Sequence, residues 1–127
     1  MDLIIDRQEW YHQKGPLSSA LYRSQDNKKC CLGFYCLALG IQIETIIDRA
    51  NPSEIEDALI NTSGKWLLES EPTPSLEDGH SCRKQSEHAK ALMRINDLPV
   101  FENNYEEVEN TIKSIFAAHD VNVLFVN

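Results

Sequence analysis

The stretch "KKCCLGFYCLALG", Lys28 to Gly40, holds the residues best placed to do chemistry. Two adjacent cysteines follow two lysines and open an apolar run that reads as a helix. A thiol at a helix N-terminus beside cations loses its proton more readily, so Cys31 with Lys28 and Lys29 nearby is a candidate nucleophile. His80, His88 and Asn96 follow later in the chain, so the order Cys, His, Asn used by papain-like hydrolases is available. This reading predicts a cysteine-dependent hydrolase or transferase in which Cys31 is exposed and His80 or His88 is its base.

The same stretch has a competing explanation. No charged side chain occurs between Cys30 and Leu39, so a helix there is apolar all round and belongs in a core. Cysteine packs in such places as a small hydrophobe. Gly33 would cost that helix about 0.5–1 kcal/mol relative to alanine, a cost that close approach by another backbone would explain. Core packing is therefore the stronger expectation. A metal centre is not expected: on an ideal helix Cys30 and Cys31 point about 120° and 140° away from Cys36. His80 and Cys82 have no Cys-x-x-Cys pair to join them. Nor is there a glycine-rich phosphate loop or serine nucleophile elbow.

The elements that would carry these groups follow from pattern. Leu3, Ile4, Trp10 and Tyr11 fit a first helical stripe, ended by "KGP" at 14–16. "SSALYRS" reads as a short strand, "QDNKK" as a turn, and Cys30–Leu39 as a helix stopped by Gly40. Asn51, Pro52 and Glu54 spell a capping box for a helix from Pro52 to about Ile60. "KWLLES" suits a short strand or edge segment, "EPTPSLEDGHS" a surface loop, and Glu87–Arg94 a helix. "INDLPVFENN" reads as irregular. Asn104 then caps a last helix, with Glu107 as its box partner and Tyr105, Val108, Ile112, Ile115 and Phe116 along one face. "VNVLFVN" is apolar on both faces and reads as a central strand. The expectation is one α+β domain over residues 1–127, with four or five helices around a small sheet that includes the C-terminal strand.

Composition narrows the function classes. The net charge of −8 argues against direct binding to nucleic acid, whose phosphates need a basic face. It suits a partner with a basic surface. Glu102, Glu106, Glu107 and Glu109 mark one end of the last helix. The helix dipole is a sufficient structural reason for them, and docking of a basic partner is the functional alternative. The N-terminal ten residues lack a signal-peptide pattern, and no run approaches the ~20 apolar residues of a membrane span. A cytoplasmic chain with reduced cysteines is expected.

The core "CCLGFYC", with upstream Trp10, Gly15 and Leu17 and downstream Ile95-Asn96-Asp97, resembles a group of small uncharacterised proteins encoded by bacteriophages and other mobile elements. Where the group often carries Asn-Asp-Asp, this chain has Leu98. The resemblance implies genomic context and no particular chemistry. Together with small size, acidity and missing catalytic motifs, it leads to the expectation of a non-enzymatic accessory protein in the host cytoplasm. Such a protein would bind a host macromolecule without a cofactor. Its most concrete form is an inhibitor of a nucleic-acid-dependent defence system, such as an anti-CRISPR.

Overall fold

The computed structural model describes residues 1–10, 20–69, 73–74, 81–82, 85–97 and 105–127. In chain order it contains strand β1 (Asp2–Asp6), helices α1 (Cys31–Ala38) and α2 (Ile43–Ile46), and a 3-10 turn (Pro52–Ile55) running into α3 (Glu56–Leu59). A second 3-10 turn (Ser63–Leu67), the short strands β2 (Thr73–Pro74) and β3 (Ser81–Cys82), helices α4 (Glu87–Asp97) and α5 (Tyr105–Ala117), and strand β4 (Asn122–Val126) complete it. This is an α+β fold, with five α-helices among the described residues and a small parallel sheet that includes the C-terminal strand.

The sheet differs from the sequence expectation at both ends. Residues 2–6 form a strand, not the start of a helix. β1 pairs in parallel with β4, Leu3 opposite Val123 and Ile5 opposite Phe125. Leu3 and Ile5 are buried on the inner face while Ile4 points outward, the period-two alternation of a pleated strand. The β-branched pair Ile4-Ile5 suits that geometry, and the pairing with a distant segment overrides the helical spacing of Trp10. β4 is likewise not central: among the described residues it pairs with β1 alone.

α1 is the helix around which the core forms. Cys31 through Cys36 are all buried, packed with Leu21, Ile46, Leu92, Ile112 and Phe116 among others. Gly33 is required there, because a Cβ at that position would lie 1.7 Å from the carbonyl oxygen of Leu21. Gly40, at φ +90°, ends the helix. Its N–H bonds to the Leu37 carbonyl (3.0 Å), and that of Ile41 bonds to the Cys36 carbonyl (3.1 Å), the paired closure of a Schellman motif.

The capping box forms as expected. Asn51 Oδ1 accepts from the Ser53 N–H at 3.0 Å and Glu54 Oε2 from the Asn51 N–H at 3.3 Å. In α5, Val108, Ile112 and Phe116 are buried. Three expectations are corrected. The first half of "KWLLES", Lys65 to Leu67, is 3-10 turn, since Thr62 accepts from the Gly64 N–H and starts a tight coil, after which Leu68 bridges Gln85. Among the described residues of "SSALYRS", 20–24, there is a single bridge from Tyr22 to Ile47 in place of a strand. α4 continues through Asp97, so "IND" is helical, with Asn96 held in the core. The "KGP" break and the Asn104 cap lie outside the described residues.

Candidate functional site

Asn96 and Cys31 do come together, in a structural arrangement. The first N–H groups of a helix lack intrahelical acceptors, and Cys30 at the N-cap offers no side-chain cap. Asn96, 1% exposed, supplies the acceptor: its Oδ1 takes the Cys31 N–H at 3.0 Å and the Trp10 indole N–H at 2.8 Å. One buried amide thus ties α4, α1 and the end of the first turn together. Cys31 itself is wholly buried.

The lysines do not serve the thiols. The Lys29 ammonium pairs with Glu9 at 3.4 Å and sits 4.7 Å from the Phe34 ring centroid, while Lys28 is exposed. Burial pushes the Cys36 thiol up to about 12, with nearby Cys30 adding to the shift. A thiol in that state is almost entirely protonated at neutral pH and is a poor nucleophile. His88 turns elsewhere, and His80 lies outside the described residues.

His88 belongs to a second cluster that the sequence did not reveal. Its Nδ1 lies 2.6 Å from Nε2 of His119, with the two rings 76° apart. His119 stacks on Trp66, centroids 3.8 Å apart and planes 7° from parallel. The Trp66 indole N–H donates to the Tyr35 hydroxyl at 2.9 Å, and Tyr35 is buried against Phe116. The His119 ring is therefore fixed through two aromatics to the core. Partial burial, then the neighbouring His88, push its pKa below the usual histidine value, and Asp120 opposes them. Among the described residues no group of three or more His, Cys, Asp and Glu side chains is arranged to hold a metal ion.

The acidic end of α5 is only partly open. Glu109 is taken up by Arg7, whose Nε and Nη2 approach its two oxygens at 2.8 and 2.7 Å. That partnership raises the Arg7 pKa, chiefly through the hydrogen bond. Glu106 and Glu107 are exposed, and Glu102 lies outside the described residues. A separate groove of about 420 Å³ is lined by Glu44, Glu54, Glu56 and Asp57 together with Arg49.

Among the described residues, two of the most exposed large apolar side chains lie on the outer face of the β1–β4 sheet. Ile4 and Leu124 are direct cross-strand partners, 58% and 44% exposed, with Val126 beside them at 37%. Parallel strands are usually covered on both faces. Asp2 is exposed at the end of this patch, opposite Asn122. Among the described residues no helix is long and apolar enough to cross a membrane. Compared with protein-family models, with curated proteins and with solved structures, this chain has no match.

Proposed function

We propose that this chain is an accessory protein of a phage or mobile element that works by docking onto a host protein in the host cytoplasm. The observation that carries the reading is the uncovered outer face of the β1–β4 sheet, where Ile4 and Leu124 stand side by side in water. Apolar side chains in a contiguous patch with a polar rim mark a protein contact. The net charge of −8, with Asp2 exposed at the end of the patch, favours a partner with a basic rim around an apolar centre. Inhibition of a nucleic-acid-dependent defence system fits that chemistry best, because such systems expose basic channels that an acidic domain can occupy. Burial of Cys31 and the high pKa of Cys36 disfavour the cysteine-enzyme alternative.

The test is affinity capture from bacterial lysate at rising salt, with wild type and the double variant Ile4→Ser/Leu124→Ser. The expected result is a captured protein, identified by mass spectrometry, that carries a basic surface, weakens with salt and is lost in the double variant. Capture of nothing at low salt by folded protein would overturn the reading. So would a partner indifferent to both salt and the double variant.

A further inference from the structure

We propose that His88 and His119 form a surface site for a divalent late transition-metal cation, each imidazole supplying one nitrogen and solvent the remaining positions. The two rings come from different elements, His88 from the first turn of α4 and His119 from just beyond α5, yet their nitrogens converge to 2.6 Å. Metal–imidazole bonds of about 2.0–2.1 Å at angles between square and tetrahedral place two ligand nitrogens about 2.9–3.4 Å apart. To hold one ion the rings separate by less than about 1 Å and the exposed His88 ring turns so that both lone pairs point at it.

The orientation of one ligand is already set. Face-to-face contact with Trp66 fixes the His119 plane, and the Trp66 to Tyr35 hydrogen bond fixes Trp66 in turn. Outer contacts of this kind hold a ligand ring in place and favour binding. The donor set selects the ion: neutral imidazoles suit nickel, copper and zinc, whereas calcium and magnesium want oxygen. The acidic chain adds an attractive field for cations. This site lies apart from the sheet face and does not depend on the docking proposal.

Calorimetric titration of the full chain with Ni²⁺ at neutral pH, repeated with Zn²⁺, tests the site. Nickel is chosen over copper because it does not oxidise the cysteines. The expected result is saturable binding of one ion per chain, with Trp66 fluorescence quenched by Ni²⁺ in the same titration. His88→Gln and His119→Gln should each weaken binding at least about tenfold, with unfolding midpoints confirming that both variants fold. The absence of saturable binding, which would leave the pair as a plain hydrogen bond, overturns the proposal. Binding that survives both folded variants does so too.

Discussion

Replacing Gly33 by alanine puts the packing of α1 to a severe test. In an unconstrained helix the change would stabilise, by about 0.5–1 kcal/mol. Here the new methyl would stand 1.7 Å from the Leu21 oxygen, 2.8 Å from the Leu21 carbonyl carbon and 2.9 Å from Lys29 Cβ. Ordinary contact needs at least 3.4 Å, so the two backbones would have to part by well over an ångström. The Leu21 segment cannot yield easily. Its N–H bonds to the Arg49 carbonyl at 2.8 Å, and the preceding Ala20 carbonyl accepts from Cys30 at 3.3 Å. Overpacking of a dense core costs about 1–3 kcal/mol, and a clash between two main chains belongs at or above the top of that range. A net loss of about 2–3 kcal/mol is expected, a large part of the ~5–15 kcal/mol that holds a small domain together. Gly64→Ala should cost less, because its nearest neighbour is the mobile tip of Leu39 at 2.4 Å. Chemical denaturation, with midpoint and slope compared across both variants, measures this. A Gly33→Ala protein as stable as wild type would refute the close approach of Leu21 and with it the central position of α1.

Asn96→Ala should cost about 2–6 kcal/mol, since it removes the acceptor of two buried hydrogen bonds, from the Trp10 indole and the Cys31 amide, at about 1–3 kcal/mol each; thermal unfolding reads it. Stability should fall as pH rises from about 9 towards about 12, because the unfolded chain releases the Cys36 proton first. Cys36→Ala should remove up to about 1.4 kcal/mol per pH unit of that slope, measured as denaturant midpoints in alkaline buffer. Native Cys30, Cys31 and Cys36 should react slowly with a thiol reagent at neutral pH and completely in denaturant, because all three are buried; rapid native labelling of Cys31 would restore the enzyme reading. Arg7→Ala should cost about 0.2–1 kcal/mol, with the loss shrinking in high salt, because the Arg7 side chain of the pair is 42% exposed.

What could be read from the sequence was what local residues decide. The uncharged run from Cys30 to Leu39 announced a buried helix, and Gly33 within it announced a close backbone neighbour. Asn51, Pro52 and Glu54 announced a cap, and the Val108, Ile112, Phe116 spacing announced a helix face. What depends on distant partners was misread. Leu3 and Ile4 fitted a helical stripe only because Trp10 and Tyr11 stood at suitable offsets; the strand that captures β1 lies about 120 residues away. β4 looked central because both its faces are apolar, and one of those faces turned out to be uncovered. Asn96, which the sequence offers for a Cys, His, Asn order, is a buried hydrogen-bond acceptor in the fold. Nothing local links His88 to His119 and Trp66, because that cluster exists only once the start of α4 lies beside the end of α5.

The pairing of β1 with β4 sets a timetable for synthesis. Leu3 and Ile5, buried in the folded protein, are made about 120 residues ahead of their strand partner. At translation rates of about 5–20 residues per second, β1 waits roughly 6–24 s before β4 exists to receive it. When it does arrive, closing a loop of about 120 residues costs roughly 2 kcal/mol more than closing one of a dozen. During that interval "LII" is an unpaired apolar strand on a nascent chain, the kind of segment that chaperones cover and that aggregates when they do not. Aspartates at both ends of β1, Asp2 and Asp6, place like charges on every copy, so neighbouring nascent strands repel one another while they wait.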